Sequence, residues 1–220
     1  MSAGSIFEMM ASLGEAKRRV MAKQTSKRPM VEIRIHGRGG QGNVVAAYLM
    51  ATAAFEDGQY CQAFPAFGAE RRGAPVTAFV RVSDRPILRR NQVLQPAHLI
   101  IQDESLLHDE GLTAGLLPGG GILVNSTASS KEISEAHGQA IVALPATTMA
   151  IETVGRPVPN VALLSAFLTL TGLLSHKALS KALAERFKGE VLENNLKLVK
   201  LAAAKVPAGQ WAETSHASSA

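Results

Sequence analysis

Two neighbouring segments of the chain show different hydrophobic periods. Residues 31–37, VEIRIHG, alternate apolar and polar side chains and include β-branched residues, which predicts a strand. Residues 43–58 place apolar residues at helical spacing, which predicts a helix. The residues expected on one side of this helix are Val44, Ala47, Tyr48 and Ala51. A glycine-rich turn joins the segments, so the pattern predicts a strand, a tight turn and a helix in succession.

Apolar runs bounded by turn residues continue along the chain. Further strands are predicted at 59–65, 75–83, 97–103, 121–126 and 139–145. Further helices are predicted at 104–117, 127–137, 146–155, 160–172, 176–187 and 189–204. Because strands alternate with helices, the pattern predicts an α/β fold with a doubly wound, mostly parallel sheet and helices on both faces.

The two ends of the chain differ from its middle. Residues 5–20 can form an amphipathic helix, and the apolar residues on its one face are Ile6, Met9, Met10 and Leu13. We therefore expect residues 1–29 to be an N-terminal helical and basic arm, and residues 30–206 to form one domain. The polar residues near the C-terminus predict that 207–220 is a flexible tail.

Charge is distributed unevenly along the 220 residues. The formal net charge is +5, and residues 17–28 carry six basic residues and no acid, so the rest of the chain is close to neutral. The rest of the sequence contains no basic stripe interleaved with aromatic residues, so a nucleic-acid partner is not expected. Charged residues make up 19% of the chain, below the usual share of about 25%, which favours a protein partner covering part of the surface.

Cysteine and histidine content argues against a metal centre in this chain. The single cysteine, Cys61, cannot form an internal disulfide or hold a zinc ion or iron–sulfur cluster. The six histidines show no ligand spacing. No signal peptide is recognised in residues 1–30, and the apolar run at 161–174 is too short to span a membrane. We expect a cytoplasmic protein with no membrane partner, no metal site and no catalytic residue of its own.

The turn between the first strand and helix, Gly37–Gly42, reads GRGGQG and fits the spacing G-x-G-x-x-G. Glycines permit positive φ and close approach, and the following helix presents free N–H groups that suit an anion. Asn43 is a candidate cap for that helix. A dinucleotide site also needs an acid at the end of the second strand, where this chain has Ala63-Phe64-Pro65. An independent Rossmann-type NAD- or FAD-binding oxidoreductase therefore stays as the alternative function.

Three segments carry a resemblance to a known family. They read IRIHGRGGQG, FPAFGAERRGAPVTAFVRVSDRPI and AHLIIQDESLL. In this order they resemble the gamma subunit of 2-oxoacid:ferredoxin oxidoreductases, the family that includes pyruvate, 2-ketoisovalerate and 2-oxoglutarate enzymes. The resemblance runs from about Val31 to about Leu201 and leaves the N-terminal arm outside.

The resemblance implies a subunit that is inactive alone. The whole enzyme converts a 2-oxoacid and coenzyme A to acyl-CoA and CO2, and passes electrons to ferredoxin or another acceptor. Thiamine diphosphate, Mg and [4Fe-4S] clusters are expected in partner subunits, which the resemblance names alpha, beta and delta. The gamma subunit is expected to support assembly of this hetero-oligomer, with coenzyme A as a co-substrate of the complex.

The resemblance also assigns candidate binding residues. These are Gly37, Gly39, Gly40, Gln41 and Gly42 in the glycine turn, and Arg71 and Arg72 in the charged loop that follows the second strand. Guanidinium groups suit phosphate contacts, so a part in holding the diphosphate or adenine end of coenzyme A is expected for them. The alternative is that the glycines only permit close packing of a partner subunit.

Overall fold

A computed structural model of the chain describes residues 30–66, 73–109 and 111–214. The predicted N-terminal helical arm, residues 1–29, lies outside these residues, and so do Arg71 and Arg72.

The described residues form one six-stranded sheet. Its strands are β1 (Val31–Arg38), β2 (Tyr60–Pro65), β3 (Pro75–Ser83), β4 (His98–Ile101), β5 (Gly121–Asn125) and β6 (Ile141–Leu144). Their order is β2-β3-β1-β4-β5-β6. Strands β1, β4, β5 and β6 pair in parallel, whereas β3 pairs antiparallel with both β1 and β2. The α/β class and the mostly parallel sheet are confirmed, and the one reversed strand makes the sheet mixed.

Six α-helices occur within the described residues. They are α1 (Asn43–Glu56), α2 (Ser130–His137), α3 (Ala146–Val154), α4 (Asn160–Thr171), α5 (His176–Arg186) and α6 (Gly189–Ala203). All six were predicted to within a few residues. The helix predicted at 104–117 was wrong, because the described residues of that segment form a 3-10 helix, Glu104–His108, followed by turns. Gly115 is left-handed at φ 76°, and a Cβ there would collide with the carbonyl oxygen of Leu94, so the chain turns instead of continuing a helix.

The two faces of the sheet are covered unequally. Helices α1, α3, α4, α5 and α6 all contribute to one core, into which β1 points Ile33 and Ile35. On the other face, Leu106 of the 3-10 helix and Ile133 of α2 pack over β4, β5 and β6. The second face of β1 is more polar, since Glu32 there forms a buried ion pair with Arg81 at 2.6 Å.

Helix α1 turns a different side to the core than its spacing indicates. Its buried residues include Ala46, Ala47 and Met50, while Tyr48 is 51% exposed. Because apolar residues lie on almost every side of this helix, periodicity alone could not select the buried one.

The described part of the predicted C-terminal tail packs on the fold. Trp211 is 8% exposed and stacks on His98, with ring centroids 5.6 Å apart. Its backbone N–H donates to the carbonyl of Leu170 at 2.8 Å. A Cβ at Gly121 would collide with the Trp211 ring, so the start of β5 is shaped to receive this side chain. Burial of the large indole ring explains why the chain is ordered here although its sequence is polar.

Candidate functional site

The glycine turn lies at the carboxyl end of β1, next to the end of β4. The helix after β1 packs on one face of the sheet, and the 3-10 helix after β4 packs on the other. In open α/β sheets, ligands bind where neighbouring strands send their connections to opposite faces. The turn, with its five predicted site residues Gly37, Gly39, Gly40, Gln41 and Gly42, therefore stands at the position in the fold best suited to recognition.

The glycines of the turn have different physical roles. A Cβ at Gly37 would collide with the side chain of Asn43, and one at Gly42 would lie 2.7 Å from Nδ2 of Asn160. Gly40 is also left-handed, at φ 99°, but it is exposed, and a Cβ there would meet no described atom within 4 Å. Interior packing therefore requires glycine at 37 and 42, whereas Gly40 presents bare backbone to the surroundings.

An aspartate that the sequence analysis did not select fixes the turn. Oδ2 of Asp103 accepts hydrogen bonds from Nε2 of Gln41 and Nε of Arg38, both at 3.1 Å. Oδ1 accepts from the Ser105 hydroxyl at 2.5 Å and from its backbone N–H at 3.1 Å. Oε1 of Gln41 accepts from the Arg38 N–H at 2.7 Å. The amide of Gln41 and both oxygens of Asp103 are therefore engaged within the fold.

These contacts also set the ionisation of Asp103. Partial burial opposes the charged form, but the hydrogen bonds from Ser105 and Gln41 and the charge of Arg38 outweigh it and lower the pKa of Asp103. The carboxylate therefore stays ionised and holds the turn at any pH near neutrality.

Two of the turn's backbone amides are already used. Gly39 donates to the Ala74 carbonyl at 3.0 Å, and Gln41 donates to the Arg38 carbonyl at 3.1 Å. Asn43 was expected to cap α1, and this was wrong: it is the first helical residue, and its Nδ2 donates to the Val76 carbonyl at 2.9 Å. Helix α1 thus begins with no side-chain cap and no acid in its first turn, which leaves the positive end of its dipole uncompensated.

The geometry argues against a dinucleotide site. Asp103, which follows β4 beside β1, is the acid that a ribose hydroxyl at the glycine turn could use. Both of its oxygens, however, accept hydrogen bonds from Arg38, Gln41 and Ser105. A ribose could bind there only by displacing the contacts that hold the turn.

The charged loop ends close to the turn. Arg71 and Arg72 lie outside the described residues, but the residues that follow them are anchored: Nη1 of Arg38 donates to the Gly73 carbonyl at 3.2 Å, next to the bond from Gly39 to Ala74. Two of the three sequence segments that carry the family resemblance therefore meet at one surface.

A cavity of about 520 Å³ opens beside the turn. Its lining includes Gly40, Gly42 and Val45 from the turn and α1, together with Arg156, Val158 and Arg186. Neither arginine forms an ion pair with another described residue. A mostly apolar cavity with two cationic groups and a helix N-terminus is suited to a ligand that has an apolar part and an anionic part.

The remaining titratable groups offer no catalytic constellation within the described residues. Burial raises the pKa of the Cys61 thiol to about 12, so it is not a nucleophile near neutral pH. No group of three or more His, Cys, Asp or Glu residues suited to a metal ion occurs at 30–66, 73–109 or 111–214. In those same ranges, no helix combines the length and the apolar character needed to cross a bilayer.

Comparisons with known proteins agree on one family. Residues 32–205 match the family described as "Pyruvate ferredoxin/flavodoxin oxidoreductase". The chain is 42% identical over 173 residues to the pyruvate synthase subunit PorC of Methanocaldococcus jannaschii, covering 79% of this chain and 95% of the relative. It is 45% identical over 171 residues to the pyruvate/ketoisovalerate oxidoreductases common subunit gamma of Thermococcus kodakarensis. That match covers 76% of this chain and 92% of the relative.

A solved structure gives the same result. The crystal structure of the pyruvate oxidoreductase subunit PORC of Thermotoga maritima superposes with a TM-score of 0.72 at 33% identity. The match covers 80% of this chain and 96% of that chain.

Proposed function

Because the chain belongs to the pyruvate ferredoxin/flavodoxin oxidoreductase family, as a gamma subunit of the 2-oxoacid:ferredoxin type, we propose that the surface around its glycine turn joins it to the catalytic subunits. In this role the chain supplies a rigid docking surface and no reacting group. The observation that carries the proposal is Gly40, which is exposed, left-handed and free of any described atom within 4 Å of a Cβ position.

The rigidity of the turn supports docking. Asp103 fixes Arg38 and Gln41 from one side, and Ala74 holds Gly39 from the other. A surface that is already ordered loses little conformational entropy when a partner binds. At Gly40 the missing side chain lets a partner's backbone approach closely.

The chemistry would then belong to partner subunits. We propose alpha, beta and delta subunits that hold thiamine diphosphate, Mg and [4Fe-4S] clusters, and ferredoxin or another acceptor as the electron partner of the complex. The single cysteine of the sequence supports that division, because an iron–sulfur cluster needs several thiolate ligands.

Coenzyme A binding is a second candidate role. The cavity of about 520 Å³ beside Gly40 and Gly42 favours it, because Arg156 and Arg186 line that cavity and α1 begins there without an acid in its first turn. In this role, the turn residues 37–42, together with Arg71 and Arg72, would hold the diphosphate or adenine end of coenzyme A.

Substituting Gly40 with Asn tests the docking role. Asn tolerates left-handed backbone better than most residues, so Gly40→Asn mainly adds bulk to the surface. Gly138 is the matched control, since it is also exposed and left-handed, at φ 63°, and a Cβ there meets no described atom within 4 Å. We expect Gly40→Asn to reduce co-purification of the other subunits under anaerobic conditions, and Gly138→Asn to leave it unchanged.

The same variants separate the two roles. A Gly40→Asn complex that assembles fully but shows a raised KM for coenzyme A, with kcat retained, would favour the second candidate. Full assembly with an unchanged KM would contradict both roles for this surface.

A further inference from the structure

An apolar surface lies away from the glycine turn, beside β2, which is an outer strand of the described sheet. Tyr48 and Phe55 of α1 are 51% and 76% exposed, and Tyr60 of β2 is 50% exposed. Between α1 and β2 runs a groove of about 460 Å³, whose lining includes Ala51, Phe55, Tyr60 and Cys61. Aromatic residues exposed together along a groove are typical of a binding surface. We call Ala51, Phe55, Tyr60 and Cys61 the edge groove; Tyr48 lies two helical turns before Phe55 on the same side of α1, in a neighbouring recess toward α5.

The charge at one end of the edge groove is negative. Helix α1 ends at Glu56, and Asp57 follows as its C-cap. No basic residue occurs in the last turn of the helix. The carbonyl end of the helix dipole adds to that negative potential. Lys181 pairs with Glu56 at 2.6 Å, while Asp57 accepts hydrogen bonds from Ser175. An occupant with an apolar face and a basic end would complement this groove.

We propose that residues 5–20 of the same chain bind in the edge groove as an amphipathic helix. This segment has its apolar face at Ile6, Met9, Met10 and Leu13, followed by the basic residues Lys17, Arg18 and Arg19. Ile6 and Leu13 are seven positions apart, as are Tyr48 and Phe55. At a rise of about 1.5 Å per residue, both apolar stripes are about 10 Å long.

The start of the fold places this segment within reach. Val31 of β1 and Cys61 of β2 both pair with Val82 of β3, so the chain enters the sheet two strand spacings, about 10 Å, from the groove. Residues 21–30 can extend to about 33 Å, so they can connect residues 5–20 to β1 with length to spare. The family match begins at residue 32, so the segment lies outside the matched fold.

Photo-crosslinking from the groove tests this proposal. The phenylalanine analogue p-benzoylphenylalanine replaces Phe55 in the full-length chain, within the complex purified anaerobically, and crosslinked peptides are identified by mass spectrometry. We expect crosslinks from position 55 to residues 5–20 of the same chain. The same analogue at Ile151, a residue of α3 that is also 51% exposed, is expected to give none to that segment.

A charge placed on the predicted apolar face sharpens the test. Leu13→Asp is expected to abolish the crosslink from position 55, while the complex still assembles because the glycine turn is unchanged. Crosslinks to another subunit or to a second copy of the chain would overturn the proposal. So would the absence of any crosslink to residues 5–20, or a crosslink that Leu13→Asp does not weaken.

Discussion

Two histidines of the sheet are held neutral by their surroundings. His98 is fully buried, stacks on Trp211 and meets the edge of Phe167, with ring centroids 5.4 Å apart from the latter. Burial lowers the pKa of His98 from 6.5 to about 4. Burial, then the charge of Arg34, lowers the pKa of His36 to about 4, although Asp109 opposes the shift. Both side chains therefore favour the folded state only while they are uncharged.

The depressed pKa of His98 predicts acid sensitivity. In the unfolded chain this histidine takes up a proton near pH 6.5, whereas in the folded chain it resists protonation until about pH 4. The stabilisation that neutral His98 gives to the folded state is fully present above about pH 6.5 and is lost as pH falls toward about 4. This stabilisation amounts to at most about 3 kcal/mol. We expect the urea midpoint of the full-length chain to fall over this range.

The variant His98→Phe isolates that contribution. It keeps an aromatic ring against Trp211 and removes the titrating group, so its urea midpoint should depend less steeply on pH between about 6.5 and 4. A variant with the pH dependence of the original chain would show that His98 is not the source of acid sensitivity.

At the scale of elements, the contact between β1 and α1 depends on Gly37. Its Cα faces Asn43, which is 3% exposed and donates to the Val76 carbonyl at 2.9 Å. We expect Gly37→Ala to lower the free energy of unfolding by about 1–3 kcal/mol, since the added methyl must displace Asn43 and break that hydrogen bond. Urea denaturation of the full-length chain measures the loss.

A second substitution identifies the cause. The double variant Gly37→Ala/Asn43→Ala should lose less free energy of unfolding than the sum of the losses in the two single variants. The reason is that Asn43→Ala removes the side chain with which the added methyl collides. Gly111→Ala is the control: Gly111 is also not left-handed, and a Cβ there would lie 3.2 Å from an oxygen of Asp109. Strictly additive losses would contradict a direct collision between β1 and α1.

Local signals predicted most elements, and the exceptions share a physical cause. The strands and the six correctly predicted helices, 43–58 included, depend on periodicity and turn residues that can be recognised locally. The 104–117 segment failed because Gly115 is fixed by the distant Leu94 carbonyl. The turn residues were found by their glycine spacing, but the contact of Gly42 with Asn160 spans 118 positions, and no local pattern indicates it. The sequence offered only a weak indication for Asp103 and Ser105, because an acid and a hydroxyl directly after a buried strand are common outside functional sites.

For the whole molecule, the C-terminal residues complete the core instead of trailing from it. Trp211 stacks on His98 of the central strand β4 and belongs to the same buried core as Phe167 of α4. We expect removal of residues 207–220 to lower the free energy of unfolding by about 3–5 kcal/mol, the usual cost of losing a buried tryptophan. Removal of 215–220 alone should leave stability unchanged, because Trp211 remains. A chain ending at 206 that is as stable as the full chain would contradict this packing.

The family, the rigid glycine turn and the low content of charged residues lead to one central claim: this chain works within a multisubunit 2-oxoacid oxidoreductase. Anaerobic affinity purification of the tagged full-length chain from its native cells tests the claim most directly, with co-purifying chains identified by mass spectrometry. The account predicts recovery of larger subunits with thiamine-binding and cysteine-rich cluster motifs, in a complex that oxidises a 2-oxoacid with coenzyme A. A lone 23.2 kDa chain that binds NAD or FAD would contradict it.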